Sequence, residues 1–152
     1  MSEISVLIEA EIHPTEDLEK VKRAIENLFA NLSFEVQPLG DQNLLRARTS
    51  GRDGLAPFQR LLREARIRDA ARRVLMKGRR NREIVFYLHK QAAHAGHVSF
   101  CEPQGESPLG PLAVMITTRN PTELIDWIAP SASMRYGMTE VSSSSRVTRS
   151  RR

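Results

Sequence analysis

The side chains that could do chemistry crowd into one stretch of this 152-residue chain. Between Arg60 and Arg82 stand ten basic residues (Arg60, Arg63, Arg66, Arg68, Arg72, Arg73, Lys77, Arg79, Arg80, Arg82) against two acids, Glu64 and Asp69. A guanidinium group presents a planar fork of N–H donors that matches phosphate oxygens. The concentration therefore points to a polyanion, with affinity drawn from counterion release. The expected contact set is Arg60, Arg63, Arg66, Arg72, Arg73, Lys77, Arg79 and Arg80, joined by Lys90 next to Gln91. The competing reading is a solvated helix face with internal pairing. Asp69 is three residues from Arg66 and Arg72 and four from Arg73, which is the spacing of neighbours on a helix. One aspartate cannot neutralise them all. Gly78 to Arg82 reads as a turn whose backbone N–H groups could cradle a phosphate, although a helix C-terminus also attracts cations with no ligand present.

Other chemistries find less support. Aromatic residues make up 5% of the chain, and Phe29, Phe86, Phe100 and Trp127 are expected in the core. Tyr87, outward on its strand beside His89, is the one candidate for stacking. So few stacking groups favour recognition of backbone and shape, as in structured or double-stranded RNA, over a single-strand platform or base-specific readout. His89, His94, His97 and Cys101 are metal-ligand types, but their spacing matches no zinc signature, so no metal or other cofactor is expected. No nucleophile elbow, phosphate-binding glycine loop or zinc-protease motif appears. Glu9 and Glu11 alternate on the outer side of a strand, and Ser107 to Pro111 reads as a rigid loop. A non-enzyme is expected.

The elements that must position the basic residues follow from apolar periodicity. Leu55, Phe58, Leu61, Leu62 and Ala65 form one helical stripe; Ile67, Ala70, Ala71, Val74 and Leu75 form another. On one continuous helix the two would point in opposite directions. Two short helices with a break near Ala65–Arg66 resolve this, leaving Arg66, Arg72, Arg73 and Lys77 on the side away from the core. Gly78 closes the second helix.

Before this pair, Ser2 to Ile12 alternates as a strand, and Pro14 opens a helix with Glu16 and Asp17 at its positive end and an apolar stripe from Leu18 to Leu32. Phe34–Leu39 and Leu44–Thr49 are strands, with Pro38 placing the first at an edge, and Thr49 to Gly54 is a loop. After the pair come a strand to His89, a short helix to Ala95, strands His97–Cys101 and Pro111–Thr118, and a helix capped by Asn120 and stopped by Pro130. The order predicts an α+β fold in two layers, with helices on one face of a mixed, mostly antiparallel sheet.

Residues 1–130 are expected to form a single domain, followed by a Ser/Arg-rich tail (131–152), disordered from about Ser142. Net charge is +5. The tail from Pro130 contributes +4, and residues 60–82 contribute +8 within a body of +1, so the remainder carries −7. The body is polarised rather than uniformly basic. A single cysteine excludes an internal disulfide, no apolar run is long enough to span a bilayer, and the N-terminus lacks a signal-peptide pattern. A cytoplasmic protein without membrane contact is expected.

Several strings carry a family resemblance: Pro14-Thr15-Glu16-Asp17, Arg66-Ile67 with Asp69-Ala70-Ala71-Arg72, Phe86-Tyr87-Leu88, Lys90-Gln91-Ala92-Ala93, Val98-Ser99-Phe100-Cys101, Ser107-Pro108-Leu109-Gly110-Pro111 and Ile125-Asp126-Trp127. In this order they resemble a small archaeal family of uncharacterised proteins labelled as predicted RNA-binding or exosome-associated. The resemblance covers about Ser2 to Pro130. It implies a fold similar to the large-subunit ribosomal protein that binds 5S ribosomal RNA, and RNA as partner. Two other readings stand beside it. One is a protein-interaction subunit, with an exposed sheet edge pairing two copies as a homodimer or the basic face docking on an acidic partner. The other is a phosphate-handling enzyme.

Overall fold

The structure, a computed structural model, describes residues 4–103 and 109–135. Residues 104–108, which include the start of the expected rigid loop, and the tail beyond Arg135 lie outside the described residues. The elements run β1 (Ser5–Ile12), α1 (Leu18–Leu28), β2 (Ser33–Leu39), β3 (Gln42–Ser50), α2 (Gly51–Glu64), α3 (Arg68–Lys77), β4 (Arg79–Arg80), β5 (Glu83–His89), α4 (Lys90–His94), β6 (Phe100–Cys101), β7 (Pro111–Thr117) and α5 (Pro121–Ile128). This is the order the sequence predicts, with the short strand β4 added where a turn is expected.

The strands form one open sheet in the order β2-β3-β1-β7-β5-β4, with β6 also pairing β5. Each pairing among the described residues is antiparallel. Alternation decides the layers. Val6, Ile8, Ala10 and Ile12, Leu45 and Ala47, Ile84, Phe86 and Leu88, and Leu112, Val114 and Ile116 are buried. They join one core with Ile25 and Leu28 of α1, Leu55, Phe58 and Leu62 of α2, Ala71 and Leu75 of α3, and Leu124, Ile125 and Ile128 of α5. The residues between them on the strands, such as Leu7, Val85 and Met115, face the side that no described helix covers, and they stay partly exposed. That is the pattern of an antiparallel sheet packed on one face, and it gives the α+β architecture. Phe58 sits at the centre of the core, stacked at 5.5 Å on both Phe29 and Phe86, with Phe100 edge-on to both Phe58 and Phe86.

The elements depart locally from these expectations. The helix after Pro14 begins at Leu18 because the Asp17 carboxylate accepts from the Glu19 N–H at 3.0 Å. Glu16, expected at the helix's positive end, instead accepts from the His13 N–H at 2.9 Å. The expected loop from Thr49 to Gly54 is absent: Gly51, at φ +73°, turns β3 directly into α2. The expected strand His97–Cys101 shrinks to Phe100–Cys101. No helix among the described residues is long and apolar enough to cross a membrane.

Gly78 closes α3 as expected, but at φ −85°, so left-handed freedom is not the reason for glycine. Its carbonyl accepts from the Val85 N–H at 3.0 Å, and a Cβ would lie 2.0 Å from the Val85 carbonyl oxygen. Gly78→Ala is therefore expected to destabilise the fold by about 1–3 kcal/mol, read as a lower midpoint in urea denaturation.

Candidate nucleic-acid interface

The basic stretch is divided at Ala65–Ile67, where the two apolar stripes require it. The Arg66 N–H donates to the Arg63 carbonyl and the Ile67 N–H to the Leu62 carbonyl, each at 3.1 Å, with Arg66 at φ +61°. This is a Schellman cap, which satisfies the last carbonyls of α2 and turns the chain. Its left-handed position is usually glycine, and an L side chain there costs roughly 1–2 kcal/mol. The other non-glycine residues at positive φ among those described are Asn31 and Asn81, a type that tolerates the conformation. Backbone preference does not account for an arginine at this corner. Its side chain is exposed.

Part of the basic stretch is engaged in holding α5. The Arg72 guanidinium lies 2.9 Å from Asp126 Oδ1 and donates to the Ala129 carbonyl at 3.1 Å. The carboxylate contact is close in distance without the alignment of a hydrogen bond at that oxygen. Arg79 donates to the Thr122 hydroxyl. From α2, Gln59 donates to the Trp127 carbonyl at 2.8 Å, and Arg52 stands over the Trp127 ring at 5.1 Å, a cation–π contact. Asp69 does not pair with its helix neighbours, as the solvated-face reading has it. It pairs with Arg135 at 3.3 Å.

Lys90, placed in the contact set by the sequence, is buried at 7% exposure. Its ammonium donates to the Glu11 carbonyl at 2.6 Å, the Leu109 carbonyl at 2.8 Å and the Glu16 carboxylate at 3.1 Å. An ammonium has three donors, so Lys90 has none left for a phosphate. It fastens the end of β1, the segment before α1 and the loop before β7.

The remainder points outward. Arg63, Arg66, Arg73, Lys77, Arg80 and Arg82 are exposed and Arg68 partly so, and none makes an ion pair or side-chain hydrogen bond among the described residues. Arg60 lies 3.7 Å from Glu64, with both side chains more than half exposed; such a pair contributes at most about 0.5 kcal/mol. Arg73 and Lys77 are one turn apart on α3, and Arg80 follows on β4, opposite Glu83. The Gly78 N–H, a candidate for cradling phosphate, donates to the Val74 carbonyl at 3.0 Å. What the surface offers is side-chain guanidinium and ammonium groups.

The other candidates lie elsewhere. Tyr87 is half-buried on the uncovered sheet face, registered with Ala113 and Cys101, and is not brought to the basic helices. No three His, Cys, Asp or Glu side chains among the described residues are grouped to hold a metal. Glu9 is engaged by Arg46 at 2.8 Å and Glu11 accepts from Gln42, so the two carboxylates do not act as a pair. Sequence reading missed the tether of α5 altogether. Its one available signal is Asp126, an acid among Leu124, Ile125, Trp127 and Ile128.

An antiparallel sheet with its described helices on one face defines a small α+β protein, and a family model described as RNA binding matches residues 5–118. The chain is 45% identical over 132 residues to the UPF0201 protein TK1335 of Thermococcus kodakarensis, covering 86% of this chain and 94% of that one. It is 40% identical to a UPF0201 protein of Metallosphaera sedula over 84% and 89% of the two chains. The crystal structure of a UPF0201 protein from Methanococcus jannaschii matches with TM-score 0.75 at 33% identity, covering 84% of this chain and 94% of that one. The chain belongs to the UPF0201 family.

If Arg72 serves to hold α5, Arg72→Ala should destabilise the fold by about 1–3 kcal/mol. A double-mutant cycle with Asp126→Ala should return a coupling of about 0.5–3 kcal/mol in urea denaturation.

Proposed function

We propose that this protein binds structured RNA, without covalent chemistry, through phosphate contacts made by Arg63, Arg66, Arg73, Lys77 and Arg80, with Arg60 at the margin. The observation that carries the reading is that Arg63, Arg66, Arg73, Lys77 and Arg80, between α2 and β4, are exposed and make no ion pair among the described residues. Their neighbours Arg72 and Arg79 meet α5 and Lys90 is buried, so these three belong to the fold in this reading rather than to the interface. The scarcity of exposed aromatics favours duplex or folded RNA. The arginines of the tail, Arg146, Arg149, Arg151 and Arg152, add nonspecific attraction.

The test is binding of a fluorescent RNA hairpin across a salt series. Affinity should fall linearly on a log–log plot. The charge reversals Arg73→Glu and Lys77→Glu together should weaken binding and reduce the salt slope by about 2, one per phosphate contact. Unchanged affinity and slope would reject the reading.

Arg66 gives a sharper test, because stability and binding should move in opposite directions. Arg66→Gly relieves the left-handed strain and should raise unfolding stability by about 1 kcal/mol, while removing a guanidinium and lowering RNA affinity. A gain in stability with full affinity would confine Arg66 to capping α2.

A further inference from the structure

The two edges of the sheet are finished differently. On one side β5 is covered by β4 at its start and β6 at its end, so no long ladder can be added there. On the other, β2 is a seven-residue strand whose pairing among the described residues is to β3 alone. Three large hydrophobic residues are exposed among those described, and two of them, Val36 and Leu39, lie on β2. An unpaired apolar edge of this length is a template for another strand.

The backbone of β2 fixes which groups it offers. Gly40 and Asp41 form a two-residue loop closed by the rung Leu39–Gln42. In such a hairpin the closing rung is a hydrogen-bonded pair and the rungs alternate from there. Ser33, Glu35, Gln37 and Leu39 therefore turn their N–H and carbonyl groups toward β3, while Phe34, Val36 and Pro38 turn theirs outward. Pro38, lacking an N–H, stands where its loss costs the β2–β3 ladder nothing.

We infer that the partner of this edge is β2 of a second copy, joined antiparallel about a two-fold axis at Val36. In that register Val36 meets Val36 in a hydrogen-bonded rung, Glu35 faces Gln37 on the uncovered side, and Phe34 faces Pro38 on the helical side. Apolar side chains meet apolar ones, and the acid meets an amide. About four main-chain hydrogen bonds form, two at the central rung and one at each Phe34–Pro38 rung. Neighbouring registers are worse. Centring on Glu35 sets like charges face to face, and centring on Gln37 puts Val36 opposite the proline and shortens the overlap. The interface is isologous and closed. It leaves β4 and the exposed cations of α3 at the far ends of a sheet continuous through both copies, and it does not depend on the RNA reading.

The test uses the full chain, stripped of nucleic acid, in sedimentation velocity over a dilution series. The expected result is a dimer that dissociates on dilution. Val36→Pro removes an outward N–H and none from the β2–β3 ladder, so the monomer should keep its circular dichroism spectrum and thermal midpoint while the dimer is lost. In a Cys101→Ser background, Val36→Cys should give a covalent dimer on mild oxidation, because a hydrogen-bonded antiparallel rung holds its Cα atoms about 5.5 Å apart, within reach of a disulfide. A wild-type chain that is monomeric at every concentration overturns the inference. So does a dimer that survives Val36→Pro, or one that yields no cross-link.

Discussion

A straight helix running from Leu55 to Leu75 would leave one of its two apolar stripes in water, and the molecule is arranged around the avoidance of that cost. Among the described residues the sheet carries helices on one face only, so both stripes reach the same core. The chain breaks at Ala65–Ile67, closes α2 with a Schellman cap and starts again as α3. Phe58 then enters the aromatic column with Phe29 and Phe86, and Ala71 and Leu75 reach the core from the second segment. The break also places Arg66 on an outward corner, in a conformation that glycine would adopt more cheaply.

The density of arginine in this stretch has two separate explanations. Arg72 and Arg79 meet α5, and guanidinium is well suited to that tether because its fork can engage a carboxylate and a carbonyl at once. The side chains of Arg63, Arg66, Arg73, Lys77, Arg80 and Arg82 make no ion pair or hydrogen bond among the described residues. The structure separates two populations that look alike in the sequence, and the second supports an anionic partner. The membership of the chain in a family whose model is described as RNA binding gives that partner its most economical identity.

Much of the fold was legible because it depends on local periodicity. Alternation along β1, β5 and β7 marks their buried faces, and the opposed stripes require the break between α2 and α3. Asn120 caps α5 as its type suggests, accepting from the Glu123 N–H at 3.1 Å. What could not be read depends on distant partners. Nothing near Arg72 announces Asp126, and nothing near Lys90 announces acceptors at Glu11, Glu16 and Leu109. A charged residue is assigned to solvent by default, and burial overrides the default only when the remote acceptors are known. Gly51 is a third case, since a one-residue turn leaves no run of loop-forming residues to notice.

The position of β1 has a consequence for how the molecule assembles. The first strand of the chain is central in the sheet, with β3 on one side and β7 on the other, and Ser5 registers against both Ser50 and Thr117. The β1–β3 half of the sheet can form once the first 50 residues are available, but the second edge of β1 stays bare until β7 (Pro111–Thr117) joins it. Contacts of such separation bear the entropy of closing a long loop before they return any stability. Folding should accordingly be slow for a protein of this length, with its rate set by the arrival of β7, and a nascent chain stalled before Pro111 would present an unprotected central strand to its surroundings.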